Sequence, residues 1–305
     1  MKYFILFLFI GSIVTAQDLF KKSTNYDIYQ SFLSSQNSYT IKSLDSAAER
    51  YKEIFSIGNS AENDSSAELF YEKYVAVVSD LNGVMNREAE NNLNIQSIYD
   101  FDLNYEGESN GAIKEKGLSL KDLEFIKILK KYSLKLDMTE GIIYVNFADE
   151  KYFYKIVGNY ISEQAIKYFS KLINESAKEA FKDAAIVVPL EELADRMVNW
   201  EIMYNSDLHS KAKQIAKERF SIYFGILFGG TDNTPAFTFE KNKLVKDFEN
   251  VYKYIVKKHR CSVTAKIFDD YLNILKKNGN RNTKRVDKFI ERKINSIDEI
   301  LDSKK

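Results

Sequence analysis

The chain is expected to fold as a mainly α protein, either an irregular multi-helix bundle or a helical-repeat-like array of antiparallel helix pairs, with at most a small β-hairpin. Three observations predict this. Only 2 Pro and 12 Gly occur in 305 residues, too few breakers for many short strands joined by tight turns. Apolar residues recur at spacings of three and four along nearly the whole sequence, the mark of helices with one greasy face. Charged residues make up 29% and AVILMFWYC 45% of the chain, which provides a core and a polar face for every helix that covers it.

Residues 1–16, MKYFILFLFIGSIVTA, read as a secretory signal peptide. Lys2 precedes an apolar run from Tyr3 to Val14, and the small residues of Val14-Thr15-Ala16 suit cleavage before Gln17. The run falls short of the ~20 residues that span a bilayer, so cleavage rather than anchoring is expected. Gln at position 17 offers no thiol for lipid attachment. The remainder, 17–305, is expected to be one α-helical domain, periplasmic or secreted and without stable membrane insertion. The segment 104–117 is the one candidate for a sub-boundary.

Two capping boxes, Ser46-Ala47-Ala48-Glu49 and Ser65-Ser66-Ala67-Glu68, place helix starts, because hydroxyl and carboxylate together satisfy amides that lack helical partners. Ala67, Phe70, Tyr74, Val77, Leu81 and Met85 then form a continuous apolar stripe. From Asn86 to Gly117 the pattern weakens. Phe101, Leu103 and Tyr105 alternate, which suggests a loop with a short strand that pairs with the run Ile142 to Phe147. Between them Ser119 caps a helix that carries Leu123, Ile126 and Leu129.

Further along, Ile161, Ala165, Tyr168, Leu172 and Ala180 stripe one helix. Pro189 opens another, with Leu190, Leu193, Met197, Trp200 and Tyr204. Ser206 is expected to cap a helix through Leu208, Ala212, Ile215, Phe220, Tyr223 and Leu227, which Gly229-Gly230 stops. Three more stripes follow: Leu244-Phe248-Val251-Ile255, Phe268-Tyr271-Leu275 and Val286-Phe289-Lys293-Ile297-Leu301. About nine or ten helices are expected. The 20 Tyr and 21 Phe suit half-exposed helix faces whose hydroxyls reach water.

Formal net charge is zero, so no global field draws nucleic acid or an anionic membrane. The charge is segregated all the same. Asp45 to Glu108 holds fourteen acids against four bases, and Lys253 to Lys305 fifteen bases against seven acids; solvated helix faces explain this, or a basic C-terminal docking surface. Cys261 is the only cysteine, which excludes an internal disulfide and reads as a small buried residue.

Familiar catalytic patterns are weak. Gly107-Glu108-Ser109-Asn110-Gly111 matches G-x-S-x-G, with Asp232 and His259 downstream, but its charged flanks do not form the required strand and helix. Ser210-Lys211-Ala212-Lys213 matches S-x-x-K without the companion motifs. His209 and His259 are the only histidines, lack metal-ligand spacing, and no metal is expected. Phosphate-cradling glycine loops are absent from the sequence, and no cofactor is implied.

What remains is a set of polar residues embedded in apolar or aromatic stretches. Glu140 precedes IIYVNF, which contains Tyr144; Asp183 precedes AAIVVPL; Trp200 is followed by Glu201; Asp232 and Asn233 sit in FGGTDNTPAF. Each also has a structural explanation. Asp183 closes or caps a helix, Asp232 and Asn233 bond their own turn, and Trp200 anchors the core with Glu201 on the wetter side. The segments EGIIYVNFADEKYFYKIV, KEAFKDAAIVVPLEELADRMVNWEIM and FGGTDNTPAF resemble an uncharacterised family of secreted, helical bacterial proteins of the Bacteroidetes type. The resemblance implies an exported helical fold and transfers no catalytic residue.

The functional expectation is an exported binding or scaffolding protein that presents an aromatic and charged groove to a protein, peptide or glycan of the cell envelope. Glu140, Tyr144, Asp183, Trp200, Glu201, Asp232 and Asn233 are its candidate binding residues. The alternatives are an envelope-acting hydrolase that uses paired carboxylates, and a secreted inhibitor or immunity-type protein steered by its segregated charge.

Overall fold

A computed structural model describes residues 24–36, 39–55, 61–89, 93–103 and 118–303. The signal-peptide segment 1–16, the G-x-S-x-G match around Ser109 and the sub-boundary candidate 104–117 lie outside these. Among the described residues there are thirteen helices and two small antiparallel strand pairs, the mainly α fold expected. None of these helices is long and apolar enough to cross a membrane.

The N-terminal part comprises α1 (Asn25–Ser35), α2 (Ile41–Ile54), α3 (Ala61–Ala89), α4 (Ile95–Leu103) and α5 (Leu120–Lys131). It continues through strands β1 (Leu134–Thr139) and β2 (Ile142–Phe147) into α6 (Lys151–Val157) and α7 (Glu163–Ala177). A second strand pair, β3 (Phe181–Lys182) and β4 (Ala185–Ile186), leads into the C-terminal helices. These are α8 (Leu190–Tyr204), α9 (Ser210–Gly229), α10 (Lys246–Lys258), α11 (Val263–Lys277), α12 (Lys284–Asn295) and α13 (Ile297–Asp302).

The stripes read from the sequence are the buried faces. All six stripe residues of α3 are buried, as are Phe248, Val251 and Ile255 of α10 and Phe268, Tyr271 and Leu275 of α11. One contiguous core runs through both ends of the chain. Around α3 it is built from rings, with Phe70 against Phe153 at 5.9 Å and Tyr71 against Phe169 at 5.9 Å. At the other end Phe228 stacks on Phe268 at 4.9 Å and Tyr271 on Phe289 at 5.7 Å. Burying such a ring contributes about 2–3 kcal/mol.

Several local expectations are corrected. Ser46 and Ser65 do not start helices. Thr40 caps α2 by accepting from Ser43 N, and Ser46 and Ser65 donate their hydroxyls to Lys42 O and Ala61 O from within helices already under way. The region of Phe101 and Leu103 is α4 rather than a strand, and Ile142–Phe147 pairs with Leu134–Thr139. His209, not Ser206, caps α9, its ring Nδ1 accepting from Ala212 N at 3.4 Å. Cys261 is exposed in the turn between α10 and α11.

The tyrosines do not sit half in water as a class. Tyr29, Tyr51 and Tyr252 are fully buried and donate to Ala47 O at 3.1 Å, Asn63 O at 3.1 Å and Leu227 O at 2.8 Å. A carbonyl has two lone pairs, so a helix carbonyl already bonded within its helix can accept a tyrosine as well. Each such bond staples two distant segments. Gly230, at φ +75°, is where a glycine is required: a Cβ there would stand 2.2 Å from Thr234 O and 2.5 Å from Ala236 N. The backbone of 230–236 folds back onto the end of α9 through Ala236 N donating to Gly229 O.

Candidate functional site

Side chains of α7 and α8 line a cleft of ≈ 690 Å³. Its walls follow from helical spacing. Lys167, Lys171, Glu175 and Lys178 recur at three and four along α7 and just past its end, and Glu192, Asp195, Arg196 and Asn199 do so along α8, so each set shares one face.

At the floor, Glu175 is buried and its carboxylate is fully engaged. Trp200 donates from its indole nitrogen to the two oxygens at 3.1 and 2.9 Å, and Tyr223 donates its hydroxyl at 2.7 Å. Lys171 lies 5.7 Å over the Trp200 ring and reaches Glu175 only at 3.8 Å. Burial lowers the pKa of its ammonium, Arg196 adds to this, and the pull of Glu175 and Asp195 offsets it only in part.

The rim is better balanced. Arg196 donates to Lys178 O at 2.8 Å and to Glu192 at 2.7 Å. Desolvation pushes the Glu192 carboxyl up, but Lys178 and Arg196 overcome it and hold the group below the ordinary range. Asp195 closes one side. Desolvation raises its pKa too, and Lys258, His259 and Tyr254 outweigh it, at 2.8 Å, 2.7 Å and 3.0 Å respectively. His259 therefore partners Asp195 and not Asp232. Ile166, Ser170, Asn174, Ile202 and Met203 complete the lining.

The residues singled out from the sequence fall in three places. Glu140, Asp183, Asp232 and Asn233 gather where three turns meet. Glu140 is exposed in the β1–β2 turn with φ 50°; Asp183, also exposed, occupies the β3–β4 turn with φ 51°. Thr139 donates to the Asp183 carboxylate at 2.6 Å, Asn233 N donates to Ala184 O at 3.0 Å, and the Asn233 amide bonds Asp183 O. Asp183 thus holds a strand turn and does not cap a helix. Tyr144, on the polar face of the β1–β2 hairpin, donates to Glu179 at 2.6 Å, which clamps that face to the chain beyond α7.

Trp200 and Glu201 are both completely buried. Glu201 is not on a wetter side: it receives Val263 N at 3.0 Å, Thr264 N at 3.2 Å and the Thr264 hydroxyl at 2.5 Å, and so caps α11 from a neighbouring helix. None of the seven lines the cleft; Trp200 supports it from beneath through its bonds to Glu175. Sequence reasoning missed Lys171, Glu175, Asp195 and Arg196. The available signal was the i,i+4 charge pairs Lys171/Glu175 and Glu192/Arg196, which look like ordinary solvated faces until the two helices are set together.

Among the described residues no group of three or more His, Cys, Asp or Glu side chains could hold a metal ion. No protein-family model, curated protein or solved structure matches the chain.

Proposed function

We propose that this is an exported binding protein and that the cleft between α7 and α8 seats a carboxylate-bearing peptide of the cell envelope. The observation that carries the reading is Lys171, a mostly buried ammonium whose nearest carboxylate stands 3.8 Å away and is already occupied by Trp200 and Tyr223. A ligand carboxylate in the cleft supplies a closer negative partner in a site of reduced dielectric, where the attraction exceeds that of a surface pair. Asn174 and Asn199 on opposite walls provide amide donors and acceptors that match a peptide backbone. Ile202 and Met203 supply adaptable apolar contact at one end. Export rests on the leader-like run of residues 1–16.

The test is titration calorimetry with an acetylated, amidated oligoglutamate peptide. Lys171→Met keeps the aliphatic stem over Trp200 while it removes the charge; the dissociation constant should rise about ten-fold, and wild-type binding should weaken with added salt. Lys246→Met, at an exposed lysine paired with Glu249, should bind like wild type. Equal binding by Lys171→Met and wild type, or no binding by either, refutes the cleft as the seat. Mass spectrometry of the exported protein should find a chain that starts at Gln17.

A further inference from the structure

A second site lies where α3 meets the start of α9. Glu68 of α3 is 2% exposed, and its Oε2 has no hydrogen-bond partner. A buried carboxyl oxygen left unbonded costs about 1–3 kcal/mol or more and calls for a function or a missing partner. The Tyr168 hydroxyl of α7, itself buried and without a hydrogen-bond partner, faces the same carboxyl as a donor, and His209 Nε2 stands 3.8 Å from Oε2. His209 Nδ1 accepts from Ala212 N, so the neutral ring carries its hydrogen on Nε2 and points it toward Glu68.

Two clefts open here, of ≈ 330 and ≈ 380 Å³, and His209 and Ala61 form part of the wall of each. Glu68 lies at the base of the larger, with Glu62 beside it, and Asp64 and Asp207 line the smaller. Among the described residues Lys211 is the one lysine or arginine in either lining, and it is paired outward with Glu72. The field at the mouth is therefore that of an anion, in contrast to the lysine-lined cleft between α7 and α8.

We propose that the cleft bounded by α1, α3 and the start of α9 binds a primary alkylammonium group, with Glu68 as its counter-charge and hydrogen-bond acceptor. An ammonium has N–H donors to satisfy the unbonded oxygen, and its positive charge offsets the cost of ionising a carboxylate away from water. Binding favours the carboxylate form of Glu68 over the acid. The proton it loses passes to solvent, so near neutral pH the ligand should displace a proton as it enters. The groups around Glu68 are Tyr168 on α7, His209 and Lys211 on α9 and Tyr71 on α3; Asp64 faces His209, and Arg219 faces Tyr71 and Tyr168.

Calorimetry with n-butylammonium near pH 7, repeated in two buffers of different ionisation enthalpy, tests this directly. Binding with net proton release is expected, and tetramethylammonium, which has no N–H donor, should bind about ten-fold more weakly. Glu68→Gln should weaken butylammonium about ten-fold and abolish the proton release. Lys211→Ala, at an exposed residue that leaves the core untouched, should tighten binding about two-fold by removing like charge at the mouth. Undiminished binding to Glu68→Gln, equal affinity for tetramethylammonium, or weaker binding by Lys211→Ala would each overturn the assignment, as would wild-type protein that takes up no butylammonium.

Discussion

Glu68→Gln should change how the stability of this protein depends on pH, and the size of the change follows from the environment of one carboxyl. Burial pushes the Glu68 pKa from 4.5 up to about 7, against the smaller lowering influences of Tyr168 and Lys211. The folded state therefore holds a proton between those values that the unfolded chain has released. Stability from this group is complete below 4.5 and is lost as pH rises through 7. The shift corresponds to about 3 kcal/mol at about 1.4 kcal/mol per pH unit. His209 acts in the opposite sense, since burial lowers its pKa from 6.5, but it is present in both proteins and largely cancels in the comparison. Urea unfolding of wild type and Glu68→Gln should thus diverge by about 3 kcal/mol between acid and about pH 8.5, with the variant gaining on wild type as pH rises. In thermal melts the same difference is worth about 6 °C for a chain of this size. Parallel pH profiles for the two proteins would refute the reasoning, because glutamine cannot ionise.

Three further outcomes rest on separate contacts. Gly230→Ala should fail to give a stable fold, or lose more than about 3 kcal/mol by urea melt, since its Cβ would meet Thr234 O at 2.2 Å at a φ of +75°. Ala184→Gly should stabilise by about 1 kcal/mol in the same measurement, because Ala184 is held at φ 54° in the β3–β4 turn, where glycine carries no Cβ penalty. Glu201→Ala should cost about 3 kcal/mol, since it leaves Val263 N, Thr264 N and the Thr264 hydroxyl without their acceptor at the start of α11; amide exchange should speed up first in that turn.

Much of the fold was legible because the signals are local. The α3 stripe from Ala67 to Met85, the Ser119 cap and the glycine stop after Leu227 depend on residues within a few turns of each other, and all three stand where the sequence puts them. The misreadings have one physical source. A capping box such as Ser65-Ser66-Ala67-Glu68 describes a local bonding opportunity, and it cannot tell that a helix has already begun at Ala61. Strand β1 was readable in principle from the alternation of Leu134, Leu136 and Met138. Its pairing with Ile142–Phe147 leaves α4, whose residues 101–103 were expected to be the partner, to pack as a helix.

Spacing along the chain by itself determined which face of each helix is apolar, and hence that the fold is a set of helices covering one another, since one turn of helix places its neighbours without outside help. Only the tertiary structure decided the fate of the carboxylates. Glu140, Asp183 and Asp232 stayed in solvent, while Glu68, Glu175 and Glu201 went into the core. That choice depends on what arrives from elsewhere in the chain: Trp200 and Tyr223 for Glu175, the first amides of α11 for Glu201, and His209 for Glu68. Burial of a charge is governed by its partners, and these partners lie from 25 to 141 positions away in sequence, a distance over which no local pattern carries information.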